Sequence, residues 1–448
     1  MHRLSFAVVL LTACAHYTPV PLDLAAGPAD YASRRLDDSA TTAALDSLGA
    51  PPTWTAARLA TAAWWLRAER ARSNAEVRAA EAALLTAGAR PDPGVEAGIE
   101  QSFSGRDGTS PWAIAAGPSI TFELGGKRQA RIARARAGVV AAIAAQARDE
   151  RLVWSRVYLA ATALSQARRR LDQAETRRML LDTLVIGIRR RFDDGTIARQ
   201  EVVRAERDRQ GGEAGVLNMT RERSLAEAQL AAAVGVPAKA IAGLPLDLSG
   251  TITCDQMLAR GPDSLRVRAL TRRPELGLAV ASYLAAEADV RLAVASSWPD
   301  LVLGPGLLFD HGVGKWTLSF GIPALAANRH RGPIAEAEAR RLVEAARVRE
   351  AQEQLLVEVD SGVAACVWAS AEASVVRRMY TAATEREAVT LDAYRRGEVG
   401  ALDLAQARLL TLDVAEQRGA AQARDAEAAV FLELAVGDES ARGAGATW

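Results

Sequence analysis

The sequence predicts a mainly α protein with a small β part. Long coiled-coil-like helices form an α-helical barrel, four transmembrane β-strands per protomer form the β part, and an internal two-fold repeat underlies both. Three copies would give twelve strands, enough for one trimeric α/β barrel. Three observations lead there. The phrase RFDDGTIARQEVVRAE (191–206) is written again as AYRRGEVGALDLAQAR (393–408). A stretch without proline, 127–192, precedes the first copy. Each half also carries a pair of short alternating segments ahead of its long helical stretch.

Aligned on Gly195 and Gly397, both copies place an aromatic residue three positions before the glycine (Phe192, Tyr394). Both place a β-branched residue two after it (Ile197, Val399), an acid six after it (Glu201, Asp403) and alanine ten after it (Ala205, Ala407). The register continues without a gap to LAAAVG (230–235) and LELAVG (432–437). A repeat of this length sets the whole architecture. The first repeat spans 53–235 and the second 264–437. Residues 236–263, rich in Gly and Pro, read as a linker, and 438–448 as a short tail.

Composition narrows the function. The 448 residues carry 55 basic and 54 acidic side chains, net +1, which argues against nucleic-acid binding through a bulk positive field. Aromatics make up only 5%, and Ala and Arg are abundant, as suits long helices. No run of about 18 apolar residues occurs, so no transmembrane helix is expected.

The N-terminus reads as an export signal over 1–13. His2 and Arg3 precede the apolar LSFAVVLL (4–11), and LTAC (11–14) follows. A cysteine at that cut resembles the bacterial lipobox, in which Cys14 becomes the lipidated first residue of an N-terminal segment, 14–52. Two or more acyl chains hold a protein on a membrane firmly. Ala15, where Asp would signal the inner membrane, resembles outer-membrane sorting. An ordinary signal peptide with a chance cysteine is the alternative. Cys254 and Cys366 read as two isolated thiols, since their spacing implies neither a disulfide nor a metal knuckle.

Each repeat reads helix, two strands, long helix, turn, return helix. Helices are expected over 53–88 and 264–297. Pro-Asp pairs follow, then strand pairs over 90–103 with 112–124, and 298–309 with 316–325. Strands of about ten residues cross a bilayer when tilted. Trp112, Trp298 and Trp316 fall at strand ends, where either an interfacial aromatic belt or plain packing would use them. Four strands cannot close a barrel, and open edges do not survive in lipid, so the chain must oligomerise. Val139, Val153, Val157, Leu164 and Leu171 continue a seam stepping mostly by threes, fours and sevens. A helix of about 60 residues is roughly 90 Å long and must lie beside other long helices.

These pieces together resemble the TolC-like outer-membrane efflux family, from about 40 to 437. The resemblance implies a homotrimer whose strands share one barrel in the outer membrane and whose helices form a hollow cylinder across the periplasm of a Gram-negative bacterium. ELGGKRQARIARARAG (123–138), RRPEL (272–276) and NRHRGPIAEAEARR (328–341) resemble the heavy-metal cation branch, of the cobalt–zinc–cadmium type. An Asn-Pro pair common in that branch is missing from TAAWWLRAER (61–70).

The resemblance implies that Asp194, Gly195 and Thr196 mark one periplasmic tip and Arg396, Gly397 and Glu398 the other, where an adaptor protein would dock. Gly at these turns also ends a helix in the left-handed backbone region at low cost. Asp403 and Glu201 are the candidate entrance or gate residues, expected two turns inside the return helices. Three copies of each would form carboxylate rings that attract cations. Alternatively they are solvated acids, with Glu201 paired to the arginines at 189–191. The neighbouring gate position holds Gln406 in one copy and Arg204 in the other.

No enzyme site and no cofactor site is expected. The four histidines, His2, His16, His311 and His330, form no HxxxH pair, no CxxC occurs, and phosphate-binding glycine loops are missing. The expected function is that of the outer-membrane channel of a tripartite pump, with an adaptor and an inner-membrane pump as partners and metal cations as the favoured cargo. A duct for drugs and other organic amphiphiles is the alternative. A lipidated coiled-coil adaptor or scaffold is the alternative from another class, but adaptors carry one helical hairpin where this chain has two.

Overall fold

A computed structural model describes residues 17–103, 110–248, 252–310, 312–322 and 330–437. The signal segment with Cys14, the 438–448 tail, His2, His16, His311 and most of the 104–110 turn lie outside the described residues.

The segment before the first repeat holds two short helices, α1 (Ala26–Ser33) and α2 (Ser39–Ser47). The Asp38 carboxylate caps α2 by accepting from the Thr41 N–H. A two-residue strand, β1 (Trp54–Thr55), leads into α3 (Ala56–Leu66) and α4 (Ala68–Gly88). The single helix expected over 53–88 is therefore two. Arg67 leaves the helical region between them, with φ −79° and ψ 144°. Its guanidinium is drawn away to the last turn of another helix, α6 (Arg199–Val234), where Nη1 donates to the carbonyls of Ala232 and Ala233 at 2.8 and 3.0 Å.

Strands β2 (Gly94–Gln101) and β3 (Trp112–Phe122) form the first hairpin, followed by α5 (Lys127–Asp193), which returns as α6. The 236–263 segment is more than a linker. Its β4 (Leu246–Asp247) pairs in parallel with β1, and its short helix α7 (Cys254–Leu258) buries Cys254 and Met257. The second repeat opens on α8 (Pro262–Arg272) and α9 (Pro274–Ala295), again two helices where one was expected. Pro274 disfavours the helical backbone at Arg273, which stands extended at φ −73°, ψ 122°. Strands β5 (Leu301–Asp310) and β6 (Val313–Gly321), then α10 (Arg331–Arg395) and α11 (Ala401–Val436), follow and complete the described residues.

The four long helices lie antiparallel in one row. Side-chain contacts give the register. Between α5 and α6, Arg189 meets Glu206 and Arg170 meets Glu222. Between α5 and α11, Arg177 bonds Asp413 and Glu416 at 2.6 and 2.8 Å, and Arg169 bonds Gln422 at 3.0 Å. Between α10 and α11, Arg424 bonds Glu372 at 2.6 Å and Arg408 meets Glu387 at 3.4 Å. In each pair one residue number rises as the other falls. At 67 residues, α5 is about 100 Å long.

By length and composition α10 holds a window apolar enough to cross a membrane, against the expectation of none. Its Asp360 and Glu372 are nonetheless ion-paired to Arg266 and Arg424, as befits a bundle helix.

Two buried clusters flank the connecting segment. One joins α3, α5 and α6 around Leu59, Leu164 and Leu230. The other joins α7, α8, α10 and α11 around Met257, Leu265 and Leu432. The second contains a disulfide between Cys254 and Cys366, with Cα atoms 5.0 Å apart. This corrects the reading of two isolated thiols. The residues are 112 apart in sequence, so spacing held no trace of a pairing that only the return of α10 beside α7 creates.

Candidate membrane sheet and channel entrance

The sheet order is β2-β3-β5-β6, antiparallel throughout. Cross-strand partners share a face, so the register sorts the side chains. One face carries the rows Ile99–Ile114–Phe309, Ala97–Ala116–Leu307–Trp316 and Ile120–Leu303–Phe320. The other carries Gly98–Ala115–Leu308–Lys315, Glu96–Gly117, Gly304–Ser319 and Gly306–Thr317. One face is thus aliphatic and aromatic, and the other small and polar. Trp112 and Trp316 sit toward the hairpin ends and Trp298 at the helical end, at 45%, 70% and 60% exposure.

The β3–β5 ladder breaks between Ala116↔Leu307 and Ile120↔Leu303. Pro118 and Pro305 fall in that gap, and neither has an N–H to donate. The strands also come close there: a Cβ on Gly117 would lie 2.3 Å from the Pro305 carbonyl oxygen.

The ELGGKR stretch joins sheet to helix. Gly125 and Gly126 turn the chain at φ +73° and +82°. Asp300, of the second Pro-Asp pair, accepts from the Leu124 N–H at 3.2 Å and from Lys127 Nζ at 2.7 Å. The motif therefore ties β3 and α5 to the start of β5.

At the far end, α5 stops at Asp193, and Asp194 is its cap. Gly195 has φ +69° and donates to Phe192 O at 2.9 Å, while the Thr196 hydroxyl donates to Arg191 O at 2.7 Å. The second tip matches it. Gly397 has φ +77° and donates to Tyr394 O at 3.0 Å, and the Glu398 N–H donates to Ala393 O at 2.9 Å. Arg396 is held by both Asp392 and Glu398. The two tips adjoin: a Cβ on Gly187 of α5 would lie 3.8 Å from Leu402 of α11.

Glu201 and Asp403 sit in the first turns of α6 and α11, not two turns inside, because each helix starts within three residues of its acid. Both are exposed. The Asp403 carboxylate accepts from the Gly400 N–H at 2.9 Å and so closes the N-terminus of α11. Glu201 meets Arg204 at 3.4 Å. The expected pairing of Glu201 with the arginines at 189–191 is not observed; Arg189, one turn from the end of α5, reaches Glu206 instead. Among the described residues no group of His, Cys, Asp and Glu could hold a metal ion.

No family model matches the chain, and no curated protein matches it by sequence. Solved structures do match. CusC, described through its transmembrane channel formation, superposes with TM-score 0.67 at 17% identity, covering 85% of this chain and 91% of its own. The outer membrane protein VceC from Vibrio cholerae superposes with TM-score 0.66 at 20% identity, covering 88% and 96%. The outer-membrane channel OprN superposes with TM-score 0.68 at 18% identity, covering 95% and 98%. The chain has the fold of these three proteins. Within that fold, sequence reasoning missed the disulfide and the helix-capping arginines Arg67 and Arg273. For the arginines a signal existed: Arg67-Ala68-Glu69 and Arg273-Pro274-Glu275 are the same Arg-x-Glu phrase.

Proposed function

We propose that the chain is the outer-membrane exit duct of a tripartite efflux pump. The observation that carries this is the sheet: four strands with one apolar face, one small polar face and two edges, β2 and β6, unpaired among the described residues, joined to helices of about 100 Å. Lipid tolerates no open edge, so the edges pair with other copies. Three copies bring twelve strands, enough to close a barrel with the apolar face outward and the polar face toward a lumen. The internal two-fold repeat gives each copy two helical hairpins in the duct wall.

In this reading the tips at Asp194, Gly195 and Thr196 and at Arg396, Gly397 and Glu398 meet a periplasmic adaptor, which links the duct to an inner-membrane pump. Asp403 and Glu201 ring the entrance. Cys14 carries the lipid anchor. The protein is a conduit, without cofactor or catalysis, since cargo must leave as readily as it enters. Heavy-metal cations are the favoured cargo, on the resemblance of the ELGGKR and RRPEL stretches.

Gel migration and bilayer recording test the duct. An unheated sample runs as a trimer that collapses to monomer on boiling, and the trimer conducts cations in planar bilayers. A folded chain that stays monomeric and passes no current overturns the reading. Loss of the chain sensitises its host to divalent metals; sensitivity to dyes and drugs alone would move the cargo to organic amphiphiles.

A further inference from the structure

We infer that this chain is a substrate of a protein dithiol oxidase, which cross-links Cys254 to Cys366 before α11 docks. The inference uses only the part of the functional reading that puts the chain outside the cytosol, where disulfides persist.

The geometry sets the order of events. Both cysteines are fully buried. Ala429 and Leu432 of α11 pack into the same cluster as the bond. Cys254 Sγ lies 3.3 Å from the carbonyl oxygen of Asp425, and the Cys254 N–H donates to the Asp425 carboxylate at 3.4 Å. Helix α11 therefore seals the bond from solvent. Thiol–disulfide exchange needs a thiolate to reach a sulfur directly, and no such path exists once α11 is in place. The cysteines must be joined while they are still open to a large protein reagent. Helix α11 also lies C-terminal to both cysteines, behind them in the order of export.

The chemistry balances without any group inside the folded protein. One cysteine thiolate attacks the oxidase disulfide and forms a mixed disulfide, releasing one oxidase thiol. The second cysteine thiolate attacks the chain's sulfur of that mixed bond and expels the other oxidase thiol. The chain loses two protons and two electrons, and the oxidase disulfide becomes a dithiol. The closed loop then holds α8, α9, the β5–β6 hairpin and the first half of α10, and so ties the connecting segment to the wall helix that follows the second hairpin.

Two measurements test this on the full chain. The first exposes purified oxidised protein to dithiothreitol, folded and in urea. Reduction of the folded form at least ~100-fold more slowly is expected for a bond that opens only with its helix; equal rates overturn the seal. The second exports the chain from a bacterial host with and without its periplasmic dithiol oxidase, traps thiols with maleimide and counts them by intact mass. Without the oxidase Cys254 and Cys366 should both carry maleimide, assigned by peptide mapping apart from Cys14, and neither should when cystine is supplied. A cross-linked chain in the absence of both oxidase and cystine overturns the inference. The count is made on single chains, so it stands whether or not a trimer forms. The double variant Cys254→Ser with Cys366→Ser is the control: its yield should not respond to oxidase loss, and a response overturns the link between the two.

Discussion

Arg67 and Arg273 occupy corresponding helix breaks and perform the same task on different helices. Arg67 caps α6 through the carbonyls of Ala232 and Ala233 and is held by Glu69 at 2.6 Å. Arg273 caps α11 through Leu434 and Ala435 at 3.0 and 3.1 Å and is held by Glu275 at 2.8 Å. Each cation meets the negative end of a helix dipole and bonds carbonyls that the helix itself leaves unpaired.

The first prediction follows from burial. The Arg273 side chain is only 8% exposed and also bonds Glu358 at 2.9 Å. Arg273→Ala removes a donor from the Leu434 and Ala435 carbonyls and a cation from Glu275 and Glu358 at once, leaving only Arg151 on the Leu434 carbonyl and near Glu275, at a cost of roughly 2 kcal/mol. Arg177→Ala removes bonds to Asp413 and Glu416 from a surface in contact with water, and costs less than about 1 kcal/mol. Thermal melts of the two variants in one detergent check the ranking. A larger loss in the Arg177 variant would contradict the assignment of Arg273 as a cap.

The second prediction concerns acid. The hydrogen bond from Arg67 holds the Glu69 carboxyl below its ordinary value, against burial. For Glu275, burial pushes upward but the Arg273 hydrogen bond and charge outweigh it, and the net shift is downward. A folded pKa below the unfolded one contributes stability above the unfolded value, near 4.5 for glutamate, and that contribution is lost as pH falls through the folded value. The melting temperature should therefore drop below about pH 4.5. Glu69→Gln with Glu275→Gln should start lower at pH 7 and show a shallower acid loss. An unchanged slope in the double variant would place the acid sensitivity elsewhere.

The third prediction tests the sheet. Gly117→Val puts a side chain against the Pro305 carbonyl oxygen, where even a Cβ would lie at 2.3 Å. The strands must separate at a ladder already short of two N–H groups. The proposed heat-resistant trimer should be lost or strongly reduced, while the helical circular dichroism of α5, α6, α10 and α11 persists. Gly98→Val, where a Cβ meets nothing within 4 Å, should assemble normally.

Much of this was legible in the sequence, for identifiable reasons. The helices α5, α6, α10 and α11 follow from stretches long enough for a seam to declare itself, with Gly195 and Gly397 supplying left-handed turns. The strands follow from alternation, and their two unlike faces from period two. The break at Arg273 was legible in Pro274, which the expected helix over 264–297 ran through, but the break at Arg67 was not. Nothing local at Arg67 stops a helix; the carbonyls that draw it away lie 165 residues further on. The disulfide was hidden for the same reason. At the candidate entrance, the sequence placed Glu201 and Asp403 on the right helices but too deep, because helix starts are set by one or two extended residues, such as Gly400 at ψ 166°.

Asp403 supports the last prediction, because its carboxylate has two separable roles. It accepts the Gly400 N–H at 2.9 Å, a cap worth about 1 kcal/mol, and it is exposed at the proposed entrance. Asp403→Asn keeps an oxygen to accept that bond but removes the charge. Asp403→Ala removes both. If three Asp403 carboxylates constrict a cation path, both variants should conduct more in planar bilayers and select cations less, while only the alanine variant melts earlier. If Asp403 only caps the helix, the asparagine variant should match the native protein in current and in stability. Selectivity that changes with alanine and not with asparagine would show that the helix start, rather than its charge, shapes the entrance.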